Sequence, residues 1–124
     1  MAHYHHLPIY KTTYELLLEL MQTVKDFPRD FKYSIGEKIQ SHIIEILILV
    51  YKANTAKNKK EFITEIIEEL QFLDLFLRIS FDIKIIPQTK YCIFIEKTNS
   101  IAKQAQGWLK AFPAKEPEPD YAKA

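Results

Sequence analysis

The sequence predicts an all-α fold, an antiparallel up-down-up-down four-helix bundle, and three observations lead there. Apolar residues recur at a helical period in four separate segments. Glycine occurs only twice in 124 residues, so the tight turns that a many-stranded sheet needs are scarce. The breaks between segments are short, and short loops make consecutive helices antiparallel neighbours.

The first helix is expected over about Ile9 to Lys25. Tyr10, Tyr14, Leu17, Leu18, Met21 and Val24 fall on one side when each residue turns the chain by 100°. Pro28 ends it, because its ring disfavours helical geometry in the preceding residue and it has no N–H to continue the ladder. The second helix starts at Ser34-Ile35-Gly36-Glu37, which has the form of a capping box: the Ser34 hydroxyl would accept from the Glu37 N–H while the Glu37 carboxylate reaches back. Gly36 has no part in that box and points to the close approach of a neighbouring helix. Ile35, Ile39, Ile43, Ile46, Val50 and Ala53 form the core arc, and Asn54 and Thr55 end it.

After the polar connector Ala56 to Lys60, a third arc comprises Phe62, Ile63, Ile66, Leu70, Leu73 and Leu77. The fourth helix begins near Pro87, a residue suited to a first helical turn. It gathers Tyr91, Phe94, Ile95, Ile101, Ala102, Ala105, Leu109 and Phe112, with a strand at Tyr91 to Ile95 as the alternative. The expected organisation is thus a flexible N-terminus over residues 1–8, one helical domain over 9–112, and a disordered tail over 113–124, which is charged and proline-containing.

Two helices carry a second apolar stripe. Ile44, Ile48 and Tyr51 lie well off the core arc of the second helix, and Phe72, Leu75 and Ile79 off that of the third. Either a compact chain buries wide arcs, or these residues form the contact of a homo-oligomer. We favour the oligomer.

The composition excludes several classes. A single cysteine, Cys92, allows no internal disulfide and has no second thiolate for zinc. The start MAHYHHLPIYK has no signal-peptide run, and no apolar run approaches the roughly 20 residues that span a bilayer, so we expect a cytoplasmic protein with no membrane contact. No phosphate-binding glycine loop, nucleophile elbow or H-E-x-x-H occurs. His3, His5 and His6 cluster without a carboxylate or thiolate beside them, and Glu65, Glu68 and Glu69 read as a solvated acidic face. His42, on the edge of the second core arc, reads as a packed or surface histidine. We therefore expect neither catalysis nor a metal or cofactor.

Charge is segregated. From Arg29 to Lys60 there are seven basic and three acidic residues, from Glu61 to Asp82 one basic and six acidic, and from Ile83 to Phe112 five basic and one acidic. Lys90, Lys97, Lys103 and Lys110 project from the polar side of the fourth helix, while Lys52, Lys57, Lys59 and Lys60 crowd the end of the second. Lysines there answer the helix dipole, and gathered by an oligomer they would suit a phosphate backbone without reading base sequence.

FPRDFKYSIGEKIQ, LVYKAN, LRISFDIKII and GWLKAF, in that order between Tyr10 and Phe112, resemble the four-helix proteins that include those encoded in 23S rRNA intervening sequences and the accessory variability determinant proteins of diversity-generating retroelements. YELL and GWLK look more like the retroelement branch. The resemblance implies a non-enzymatic, homo-pentameric barrel that binds RNA and DNA and associates with the reverse transcriptase in mutagenic retrohoming. By position it assigns nucleic-acid contact to Arg29, Lys32, Lys38, Lys52, Arg78, Lys84, Lys103 and Lys110. The chain departs from the strongly basic character of that branch, with a net charge of only +1. A structural oligomer of the intervening-sequence type, acting through protein contacts, is the alternative.

Overall fold

The computed structural model describes residues 7–111. Four long helices and one short one follow in order: α1 (Pro8–Lys25), α2 (Arg29–Lys32), α3 (Ile35–Thr55), α4 (Lys60–Asp82) and α5 (Gln88–Ala111). α3 packs against α1, α2 and α4, and α5 packs against α1 and α4, so the long helices close around one core. There is no strand among the described residues. Tyr91 to Ile95 lies inside α5, where Phe94 is buried and Tyr91 and Ile95 pack against the core. None of the described helices is long and apolar enough to cross a membrane. The N-terminal histidines and the tail lie outside the described residues.

The core arcs of α3 and α4 follow the predicted periodicity except at their starts, where Ile35 and Phe62 are only half-buried, and at Leu49, which is buried although the predicted arc leaves it out. Ile39, Ile43, Ile46, Val50 and Ala53 meet Ile63, Ile66, Leu70, Leu73 and Leu77, all of them buried. Each fully buried aliphatic side chain contributes about 1.5–3 kcal/mol relative to exposure, so this seam dominates the stability of the chain.

α1 differs from expectation. Its buried side is Ile9, Thr13, Leu16, Leu20, Thr23 and Val24, while Tyr14 and Leu18 are exposed and Tyr10, Leu17 and Met21 are half-buried. The face is turned by roughly one residue because two threonines belong to it. The Thr23 hydroxyl donates to the Glu19 carbonyl at 2.9 Å, which satisfies its polarity within the helix and leaves its methyl to pack. Ser80 and Thr98 do the same, donating to the carbonyls of Phe76 at 2.8 Å and Ile95 at 3.1 Å. A count that treats threonine as polar places the stripe beside its true position.

The expected capping box is not formed. The Ser34 hydroxyl donates to the carbonyl of Asp30 at 2.9 Å, and no side chain caps the start of α3. The reason is α2, a single turn between Pro28 and Tyr33 that the sequence reading does not anticipate. The N–H groups of Phe31 and Lys32 both donate to the Pro28 carbonyl, at 2.9 and 2.8 Å, and the Ser34 side chain closes that turn while its carbonyl accepts the first bond of α3 from the Lys38 N–H at 3.2 Å.

Gly36, in the first turn of α3, is buried where the chain leaves α1. A Cβ there would stand 2.7 Å from Val24 Cγ1 and 3.2 Å from the Phe31 carbonyl oxygen. Both neighbours are stiff, one a β-branched core side chain and the other backbone, so only glycine allows this approach.

α4 ends with a Schellman motif. The N–H of Lys84 donates to the Phe81 carbonyl at 3.0 Å and that of Ile85 to the Ser80 carbonyl at 2.9 Å. Lys84 itself has φ 68°, in the left-handed region that usually takes glycine, and it is the one non-glycine residue with positive φ among the described residues.

Three substitutions test these backbone positions. Gly36→Ala adds roughly 1 kcal/mol of helix propensity but overpacks the corner at a cost of about 1–3 kcal/mol, so urea unfolding will show a net loss of about 1 kcal/mol. Gly107→Ala, with nothing within 4 Å of the added methyl, will instead raise stability. Lys84→Gly relieves the left-handed backbone and will stabilise the chain by about 1 kcal/mol in the same assay.

Candidate nucleic-acid interface

Folding leaves some cations free and uses others. Lys59 is structural: its ammonium donates to the carbonyls of Ala53 at 2.9 Å, Asn54 at 3.1 Å and Ala56 at 2.9 Å, which satisfies the end of α3. Lys97 joins α5 to α1, with Nζ 3.7 Å from Glu15 Oε1 and 3.4 Å from Glu19 Oε2. Arg78 forms a two-oxygen contact with Asp82, at 3.0 and 3.2 Å. Its hydrogen bond to Asp82, that carboxylate's charge and Tyr91 all favour the protonated guanidinium.

Seven of the eight basic residues assigned by resemblance, Arg29, Lys32, Lys38, Lys52, Lys84, Lys103 and Lys110, form no ion pair among the described residues. Lys32 is half-buried and the others are exposed. Lys103 and Lys110 are brought together on the outer side of α5, where Asn99, Ala102, Gln106 and Gly107 line a shallow groove with them. Lys32 lines a second groove, with Lys25, at the corner between α1, α2 and α3. Arg29 lies on α2 and Lys38 in the first turns of α3, beside that corner in sequence. Lys52, Arg78 and Lys84 line neither groove.

Sequence reading missed the polar residues that complete these grooves. Asn99 and Gln106 share one stripe with Lys103 and Lys110 at spacings of 4, 3 and 4, a pattern available in the sequence. Gln22, Gln40 and the exposed Tyr33 of the corner had no such signal, because Tyr33 sits in a connector that has no periodicity.

The second apolar stripes stand outside the core. Ile44, Ile48 and Tyr51 of α3 and Phe72, Leu75 and Ile79 of α4 are each between 36% and 52% exposed, so the single chain does not bury wide arcs. Phe72 is nevertheless well held. The His42 imidazole lies nearly parallel to both Phe72 and Phe76, with ring centres 5.6 and 5.5 Å away, and its Nδ1 is 2.5 Å from Glu69 Oε1. Glu69 is therefore not part of a freely solvated acidic face, whereas Glu65 and Glu68 are exposed.

Asp74, at the seam of α4 and α5, is the one carboxyl with a clear shift among the described residues. Burial raises its pKa from the ordinary aspartate value, and the hydroxyl of Thr98 opposes this in part. No group of three or more histidine, cysteine, aspartate or glutamate residues among those described could hold a metal ion.

The geometry thus offers grooves with free lysines at the α1–α2–α3 corner, along the outer side of α5 and, at Lys90, between α1 and α5, together with two exposed apolar stripes. No curated protein matches the chain. A family model described as bAvd-like, of the accessory variability determinant type, matches residues 7–112 and so takes in all four long helices. The chain belongs to the bAvd-like family.

Proposed function

We propose that this chain is a non-enzymatic accessory protein of a diversity-generating retroelement, binding nucleic acid and associating with the reverse transcriptase in mutagenic retrohoming. Membership of the bAvd-like family is the observation that carries this reading.

The free lysines support it physically. Lys103 and Lys110 are seven residues apart on one helix, about 10.5 Å along its axis, which is about three nucleotide steps of a duplex strand. The neutral amides of Asn99 and Gln106 flank them, and no carboxylate lines that groove. Lysine ammonium groups meet phosphate as point charges, so binding of this kind follows the backbone of RNA or DNA and is largely independent of base sequence. The strained backbone of Lys84 adds to the argument, since glycine would hold that turn better but would carry no charge.

We further infer an antiparallel up-down-up-down arrangement that assembles into a homo-pentameric barrel in the cytoplasm. Pairings along the seams support the first part: Thr12 meets Gln104 while Glu19 meets Lys97, and Phe81 stacks on Tyr91. Partner numbers fall along α5 as they rise along α1. Two exposed apolar stripes on different helices support the second, because a ring joins one face of each protomer to a different face of the next. The same stripes favour the alternative reading, an intervening-sequence-type structural oligomer acting through protein contacts.

Binding of the full chain to an RNA/DNA hybrid across a salt series tests the reading. The logarithm of the binding constant will fall linearly with that of salt, and Lys103→Gln with Lys110→Gln together will lower the slope by about 1–2. Absence of salt-dependent binding at low ionic strength would overturn it. If charge reversal at both lysines leaves reverse transcriptase binding intact and no nucleic acid binds, the structural oligomer is the better reading. Sedimentation tests the assembly: the wild-type chain will run as an oligomer and Leu75→Asp as a smaller species, with unchanged helical circular dichroism.

A further inference from the structure

We propose that the corner groove between α1, α2 and α3 binds one unpaired nucleotide of a single-stranded nucleic acid, with the Tyr33 ring as the stacking platform for its base and Lys25 and Lys32 holding the flanking phosphates. This rests on the nucleic-acid reading above and deepens it, because the Lys103 and Lys110 groove suits a phosphate backbone alone and the corner suits a base.

The groove is open to solvent and has a volume of about 400 Å³, lined by Gln22, Lys25, Lys32, Tyr33, Glu37 and Gln40 among others. Tyr33 is 64% exposed, the most exposed of the large apolar and aromatic side chains among the described residues. Its neighbour Phe27 is buried, and Tyr10, Tyr14, Phe81 and Tyr91 stack on one another in pairs. Tyr33 has no ring or hydrogen-bond partner among the described residues. A large aromatic face held open on a short rigid turn, beside two free lysines, has the composition by which proteins take up single strands: stacking on one side and cations along the backbone.

The charges around the groove set the orientation. Lys25 and Lys32 line the side of α1 and α2, whereas the one lining carboxylate, Glu37, stands on α3. A phosphate is favoured beside the lysines and disfavoured beside Glu37, which leaves the α3 side to a base edge. Gln40, whose amide is held 3.4 Å from Met21 Sδ, and Gln22 present amide groups that can both donate and accept, so they tolerate different bases. In a duplex the bases are paired and stacked, and the Tyr33 ring has no exposed base face to meet.

The test compares the full-length chain with Tyr33→Ala and Tyr33→Phe on three probes: a short single-stranded DNA, the same backbone without bases, and a duplex of equal length. Tyr33→Ala will bind the single strand about tenfold more weakly, with its salt slope and its affinity for the abasic strand and the duplex unchanged. Tyr33→Phe, which keeps the ring, will bind as wild type. Lys32→Gln will instead lower the salt slope on the single strand by about 0.7. Circular dichroism of Tyr33→Ala will match the wild type, since the ring is outside the core. Wild-type affinity of Tyr33→Ala for the single strand, or an equal loss on all three probes, would overturn the proposal while leaving the nucleic-acid reading in place. Failure of the wild-type chain to bind any probe would overturn that reading, and this proposal with it.

Discussion

The approach of Gly36 to Val24 and to the Phe31 carbonyl is the constraint from which much of this molecule follows. A methyl group at that point would stand 2.7 Å from a core side chain, so the start of α3 is held against the end of α1 by the absence of one carbon atom. With that distance fixed, the residues between the two helices must double back within a few positions, and the single turn of α2 is how they do it. Lys32 and Tyr33, at the end of that turn, line the groove at the corner.

Charge in this chain is divided between holding the fold and facing solvent. Lys59 closes a helix end, Lys97 bridges two helices, and Arg78 is paired on its own helix. The lysines that remain do not form one large basic face: among others they occupy the corner, the end of α3 and its connection to α4, the α4–α5 turn and the outer side of α5. A near-neutral net charge is therefore compatible with local cationic surfaces, because much of the acidic excess sits on α4, where part of it is engaged with His42. The relevant quantity for a charged ligand is the field at a groove within a Debye length, about 8–10 Å at ordinary ionic strength, and not the total.

How much was legible in the sequence differs by element, for physical reasons. α3 and α4 were readable because isoleucine and leucine occupy their arcs without competition. α1 was misplaced by one step because Thr13 and Thr23 pack as if apolar. The S-x-x-E motif at Ser34 does not cap because the unexpected turn before it draws the hydroxyl back to the Asp30 carbonyl, on the side away from the Glu37 N–H it would accept from. The engagement of Lys97 could not be seen, since Glu19 is 78 positions away in sequence. Periodicity likewise assigns no face to a connector residue, and so Tyr33 was passed over. The resemblance found the family but could not tell free lysines from committed ones.

The histidine stacked between Phe72 and Phe76 has a consequence for recognition. An exposed phenylalanine on a helix surface ordinarily samples several rotamers, and a partner that meets it must first select one. Here the ring of Phe72 is half exposed yet rests on an imidazole that is itself fixed by Glu69 across the α3–α4 seam. The entropic cost of immobilising a side chain on association, about 0.5–1.5 kcal/mol, is thus largely met within the folded chain. Phe72 is thus pre-organised, and a surface docking on it would gain affinity from order present before the encounter.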